Sequence, residues 1–213
     1  MNIVLLGYPG SGKGTQANTL SAKLNLAQVS FGRIFWNEVA KKTPLGHEVS
    51  DNLVAGWLVP DWLVLGQLKE RFKDERRGFL FDGFPSTTEQ AEGLDAWLEA
   101  RSTSVDAVIM LKLPEAEVLK RLAQRRVCPG CGAIYNLATS PTFMEGLCDS
   151  CGGKLQQRQN DRPEAIKKRL MAYKDQTEPV MSYYRGSSKC FEVKADQSAQ
   201  DVTTQILALV KNL

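Results

Sequence analysis

Residues 7–15 read Gly-Tyr-Pro-Gly-Ser-Gly-Lys-Gly-Thr, with glycine at four of the first eight places. A run so rich in glycine is poorly suited to the interior of a helix or a strand. The apolar run Asn2–Leu6 before it reads as a buried strand, and Gln16–Leu24 after it reads as a helix. The spacing fits Gly-x4-Gly-Lys, and strand, loop and helix in that order are the setting of a phosphate-binding loop. Glycines let backbone N–H groups turn inward toward an anion. The helix N-terminus adds partial positive charge. Lys13 can reach the β- and γ-phosphates of a nucleotide. The hydroxyl residue usual directly after the lysine is displaced by Gly14 to Thr15.

Asn2–Leu6 is the first of five strand candidates, the others being residues 27–30, 79–82, 105–113 and 190–193. Helical patterns lie between them at Trp62–Lys73, Thr88–Arg101 and Glu115–Arg126. Glu164–Tyr184 reads as one long helix with Pro179 as a breaking point. This alternation predicts an α/β fold, a parallel sheet covered by helices on both faces. Residues 31–59, mainly helical, and 127–161, a small β-rich insert, stand outside the alternation. The strand Phe79-Leu-Phe-Asp82 ends in a carboxylate, which beside a phosphate loop can hold Mg²⁺ directly or through water.

Composition narrows the function. Lys+Arg number 27 against 24 Asp+Glu, a net charge of +3, so bulk nucleic-acid binding is not expected. The single histidine, His47, leaves little scope for a Ser–His or Cys–His mechanism. No apolar run approaches the ~20 residues of a membrane span. The N-terminus lacks the basic region of a signal peptide, so a cytoplasmic protein without membrane partners is expected.

Four of the five cysteines form two pairs, Cys128-x2-Cys131 and Cys148-x2-Cys151, with sixteen residues between them. A glycine follows each pair, where the backbone must turn around an ion. Four thiolates at this spacing suit a closed tetrahedral zinc site, which is structural and not catalytic. The other reading, two disulfides, belongs to exported chains. Cys190 is expected as a buried free thiol in a strand.

Gly7–Gln16, Phe81-Asp-Gly-Phe-Pro85, Gln90, Arg125-Arg126-Val127, the four-cysteine insert and Arg158-x2-Asp161-x7-Arg169 follow one another along essentially the whole chain. In that combination the sequence resembles the adenylate kinases with a long zinc-binding lid. The resemblance implies a P-loop NTPase-type parallel five-stranded sheet flanked by helices. Its core would comprise residues 1–29, 60–126 and 162–213, with a helical monophosphate-binding insert at 30–59 and a zinc lid at 127–161. It implies a monomer that transfers the terminal phosphoryl group of Mg·ATP reversibly to AMP, giving two ADP. By resemblance, Gly10, Ser11, Gly12, Lys13, Gly14 and Thr15 hold the ATP phosphates, and Asp82 helps hold Mg²⁺. Arg121 lies against the ATP adenine, with Ile134, Tyr135 and the backbone at Gln197 also meeting ATP. Arg125, Arg158 and Arg169 clamp the transferring group, the last two also facing AMP. Trp57, Leu58, Val59, Gly83, Phe84, Pro85 and Gln90 match the rest of the AMP site. Cys128, Cys131, Cys148 and Cys151 would hold structural Zn²⁺.

The sequence departs from that pattern on the acceptor side. The family's Ser-Thr-Gly-Asp-x-x-Arg is here Ser30-Phe-Gly-Arg-Ile-Phe-Trp36, and its Asp-Gly-Phe-Pro-Arg ends here in Ser86. Two arginines implied for the AMP phosphate are therefore replaced by Trp36 and Ser86. Each lost charge-assisted contact typically costs about 1.5–3 kcal/mol. Arg33, three residues before Trp36 and so near the same helix face, is the candidate substitute; Arg76 and Arg77 are weaker ones. Phe31 and Trp36 either meet a base or pack within the insert. Base recognition thus reads as adenine-like and phosphate recognition as altered. The alternatives are a related kinase with another acceptor and an ATP-binding regulator without catalysis.

Overall fold

The computed structural model describes residues 1–186 and 189–211. Five strands form one parallel sheet: β1 (Ile3–Gly7), β2 (Ala27–Val29), β3 (Phe79–Asp82), β4 (Ala107–Lys112) and, last in the chain, the strand Lys189–Lys194. The two strands between these in the chain are β5 (Arg125–Val127) and β6 (Ile134–Asn136), so Lys189–Lys194 is β7. The spatial order is β2-β3-β1-β4-β7. The registers Leu5 to Asp82 and Gly7 to Leu111 bring the ends of β1, β3 and β4 to one edge.

The sheet is apolar on both faces because both are covered. Ile3, Leu5, Leu80, Ile109 and Leu111 pack with α1 (Lys13–Leu24), α6 (Glu115–Ala123), α7 (Pro163–Ala172) and α9 (Ala199–Val210). Val4, Leu6, Phe79, Phe81, Val108 and Met110 pack with α2 (Phe31–Ala40), α3 (Pro44–Ala55), α4 (Asp61–Arg71), α5 (Thr88–Glu99) and α8 (Glu178–Tyr184). Among the described residues, no helix is long and apolar enough to cross a membrane.

Two helix boundaries differ from the sequence reading. The helix expected to run to Arg126 stops at Ala123, because Arg125–Val127 pairs antiparallel with Ile134–Asn136 as a hairpin. The expected long helix 164–184 is interrupted a turn before Pro179, by a π turn at Tyr173–Thr177. Pro179 lies in the first turn of α8, where its missing N–H costs little. Cys190 is in β7 as expected, but only partly buried.

Residues 127–161 hold almost no apolar core. Their buried members are Val127, Cys128, Cys148, Asn160 and Asp161. The hairpin is extended by isolated bridges at Val127–Gln156, Asn136–Ser140 and Leu147–Lys154. A segment of this size needs another source of cohesion.

Candidate active site

Gly7 closes β1 and Lys13 opens α1, so the glycine-rich loop sits at the strand edge described above. Lys13 Nζ donates to the carbonyls of Gly7 (2.5 Å) and Tyr8 (2.9 Å). Asp82 ends β3 and accepts from Ser30 Oγ at 3.1 Å, while Gly83 backs onto the Lys13 stem. Burial lowers the Lys13 ammonium to about 8; Asp82 opposes the shift and Arg169 and Arg125 add to it. Burial also pushes the Asp82 carboxyl upward, against the charges of Lys13 and Arg33 and the Ser30 bond. A partly buried carboxylate beside the glycine-rich loop is a hard-oxygen donor of the kind Mg²⁺ takes.

The arginines converge on one carboxylate. Asp161, in a short 3₁₀ turn before α7, has a side chain with no solvent exposure. It accepts from Arg125 Nε (2.7 Å) and Nη2 (2.5 Å) and from Arg169 Nη1 (3.0 Å). Arg158 is half-buried, and its guanidinium makes no hydrogen bond among the described residues. Burial, with Arg125 crowding both, brings Arg158 and Arg169 down to about 10, Asp161 opposing. Among the described residues, Lys13, Arg125, Arg158 and Arg169 thus face two carboxylates, Asp82 and Asp161. Such a cluster is built for a polyanion.

Next to the loop, Arg121 Nη2 donates to the Ala195 carbonyl at 2.9 Å, bringing α6 against the segment that contains Gln197. The Gln197 side chain is engaged by Lys194 and Gln205. Ile134 is half exposed on β6, and Tyr135 places its hydroxyl 3.3 Å from Cys148 Sγ. Arg125 pairs with Asn136 in the same hairpin, at the root of the cysteine-rich segment.

Gly56 caps α3 at φ +83°, and a Cβ there would stand 3.0 Å from Arg169 Cγ and 2.8 Å from the Ala165 carbonyl. Only glycine allows this approach of α3 to α7. Trp57 follows, half exposed, with Lys168 Nζ 5.6 Å from its ring. Leu58 O accepts from Asn52 Nδ2, and Val59 is buried. Phe31 is 5% exposed and meets Phe84 edge-on at 5.0 Å, and Trp36 packs on the same apolar cluster, so both aromatics contribute to the core. Arg33 is exposed and donates to Asn18 Oδ1 on α1 at 3.3 Å, near Asp82. Arg77 is engaged by Glu75. Ser86 donates its N–H to Gln90 Oε1 (2.8 Å) and its hydroxyl to the Gly83 carbonyl (2.9 Å).

The sequence reading missed Asp61. Its carboxylate accepts from Gln90 Nε2 at 2.6 Å and from Thr87 Oγ1 at 2.9 Å. An aspartate in a first helical turn after proline carries no such signal, because it favours the helix dipole wherever it occurs. Gln16, part of the loop motif, has a structural explanation: it bonds Ala199 and Thr203 and so ties α1 to α9.

The four sulfurs of Cys128, Cys131, Cys148 and Cys151 lie within 4.8 Å of one another. Cys128–Cys151 is 3.4 Å and Cys131–Cys148 is 3.5 Å. Four ligands at about 2.3 Å from a tetrahedral zinc lie roughly 3.8 Å apart, so the set fits. Both knuckles use one turn: Gly132 and Gly152 donate to the carbonyls of Cys128 and Cys148 at 2.8 Å. Their φ values of +77° and +70° are those glycine provides. The structure thus brings together the cysteines as expected from their spacing.

Comparison with known proteins agrees with this geometry. A family model described as adenylate kinase matches residues 5–189. Proteins named adenylate kinase from Archaeoglobus fulgidus and Lachnospira eligens are 41% and 42% identical, over 100% and 99% of this chain and 99% and 100% of their own lengths. One from Thermosipho africanus is 42% identical over 99% of this chain and all of its own. With a glycine-rich loop between strand and helix, an arginine cluster and a four-cysteine segment on a five-stranded parallel sheet, the chain belongs to the adenylate kinase family.

Proposed function

We propose that this protein transfers the terminal phosphoryl group of ATP reversibly to AMP, giving two ADP. The observation that carries the reading is the gathering of Lys13, Arg125, Arg158 and Arg169 around the partly buried Asp82 and the buried Asp161. Phosphoryl transfer asks a protein mainly to position two reactants and neutralise charge. The loop from Gly10 to Thr15 and Lys13 bind the donor phosphates. Arg125 and Arg169, aligned by Asp161, grip the transferring group from the lid side. The unengaged Arg158 supplies the donors that the acceptor phosphate lacks at Trp36 and Ser86. Arginine suits this role because its planar fork gives two parallel bonds to phosphate. Arg33 adds a cation at the edge of the phosphate loop. Bound Mg²⁺ would be held near Asp82 and would neutralise phosphate charge. Residues 30–59 and 127–161 act as the insert and lid that exclude water from the core.

Initial rates of transfer from Mg·ATP to AMP, GMP, CMP and UMP test this reading. Rapid ADP formation with AMP, and much slower reaction with the others, is the expected result. ATP binding without transfer to any of the four would instead support a different acceptor or a regulator.

Zinc at the four cysteines would act as the missing core of residues 127–161. Metal-dependent cohesion in such a segment appears directly in thermal stability. Metal analysis is expected to find one zinc per chain. Removing it with a chelator is expected to lower Tm and to make residues 127–161 the first site of proteolysis. Equal Tm with and without metal would contradict this role.

A further inference from the structure

We propose that Asp61 determines which base the acceptor pocket takes, by holding the Gln90 carboxamide in one of its two orientations. The inference rests on the reading that Gln90 faces the acceptor base. Gln90 is 2% exposed, and both ends of its amide are engaged. Its Oε1 accepts from Ser86 N at 2.8 Å, and its Nε2 donates to Asp61 Oδ1 at 2.6 Å. A backbone N–H can only donate, and an ionised carboxylate can only accept. Both partners therefore demand the same orientation. A flipped amide would set N–H against N–H and oxygen against carboxylate.

Asp61 is itself fixed. Its second oxygen accepts from Thr87 Oγ1 at 2.9 Å, and Thr87 Oγ1 accepts from Gln90 N at 3.1 Å while capping α5. Asp61, Thr87 and Gln90 close a ring of hydrogen bonds. A carboxamide has two acceptor sites and two N–H donors. The ring and Ser86 use one of each. One acceptor site and one N–H remain for a ligand, in a fixed order. That order complements the adenine edge, where the 6-amino group donates and N1 accepts. It opposes a 6-oxopurine, where O6 accepts and N1–H donates. The flipped amide would suit the 6-oxopurine. Asp61 is a positioning residue, and through it a side chain on α4 sets the selectivity of a site on α5.

Asp61→Asn tests this, because asparagine has nearly the same size but can donate or accept, so the demand from position 61 is lifted and only the Ser86 N–H still opposes the flipped amide. kcat/KM is measured with AMP and with inosine monophosphate. The inosine-to-adenosine preference is expected to rise about tenfold, the scale of losing one directed hydrogen bond in a specificity site. The KM for ATP is expected to stay unchanged. A folded variant with an unaltered preference would overturn the proposal, since a merely structural role would reduce both acceptors alike. Where the variant does not fold, NMR of the wild-type Gln90 side-chain amide decides. One Nε2 proton protected from exchange supports pinning, and two unprotected protons overturn it. Absence of wild-type transfer to AMP would instead count against the proposed function, with the NMR result still reporting on the amide.

Discussion

Lys13→Met is expected to lower kcat/KM for ATP about a thousandfold, the scale seen when one charge-stabilising group is removed from a phosphoryl or acyl transfer site. Methionine keeps the length of the side chain and deletes the charge. Lys13 is not held there by a strong counterion contact: its direct hydrogen-bond partners are the carbonyls of Gly7 and Tyr8. Burial lowers it to about 8 from an ordinary 10.5. Below pH 8 the lysine is charged in both folded and unfolded chains, and the folded state bears the whole cost of burying it. Between about 8 and 10.5 the folded protein binds fewer protons than the unfolded chain, so that cost fades as pH rises. Lys13→Met is therefore expected to raise Tm at pH 7, with the gain vanishing above pH 10.5. ATP affinity of the wild-type protein is expected to weaken as pH rises through about 8, and this dependence to disappear in the variant. A variant that loses activity but melts lower at pH 7 would show that Lys13 is a structural residue instead.

Asp161→Asn carries the second large effect. Its carboxylate has no solvent exposure, and it accepts three hydrogen bonds from Arg125 and Arg169, whose side chains are 14% and 18% exposed. Removing one member of such a buried ionic cluster typically costs about 3 kcal/mol or more, because the cations left behind lose their counterion. For a chain of this length that is a fall of roughly 6–12 °C in Tm. A drop in kcat of about a hundredfold is expected as well, since misdirected positioning groups commonly cost that much. Scanning calorimetry with and without a polyphosphate nucleotide separates the two roles. Bound phosphates give the arginines a new counterion, so the Tm gap between variant and wild type is expected to narrow on binding. A gap that stays constant would mean that Asp161 stabilises the fold without organising the clamp.

The fold was largely legible because its signals are local. A glycine-rich turn between an apolar strand and a helix points to one arrangement, and the knuckle spacing of the cysteines brings four sulfurs to one place. Lys13 opens the helix after the loop and Asp82 ends a strand, as the local pattern of each segment implies. Asp161 was visible only as a spacer within the arginine motif; that it is the shared anion of the cluster depends on α6, the hairpin and α7 meeting in space. The early end of α6 at Ala123 was hidden because Arg125–Val127 suits a helix locally and becomes a strand only through pairing with residues 134–136. Asp61 and Gln90 are 29 residues apart, and no periodic pattern links them. Phe31 and Trp36 looked equally fit for stacking on a base or for packing; their place in the apolar cluster around Phe84 gives them a packing role that a pattern of single residues could not settle.

One site is expected to hold both nucleotides across one cation cluster. The most direct measurement is calorimetric titration with two adenosines joined by five phosphates, which spans donor and acceptor subsites at once. One ligand per chain, bound at least a hundredfold more tightly than ATP or AMP alone, is the predicted result, the gain coming from tethering the second nucleotide. Binding no tighter than that of ATP would rule out a shared two-nucleotide site, because it would leave the Arg158 side of the cluster without an acceptor.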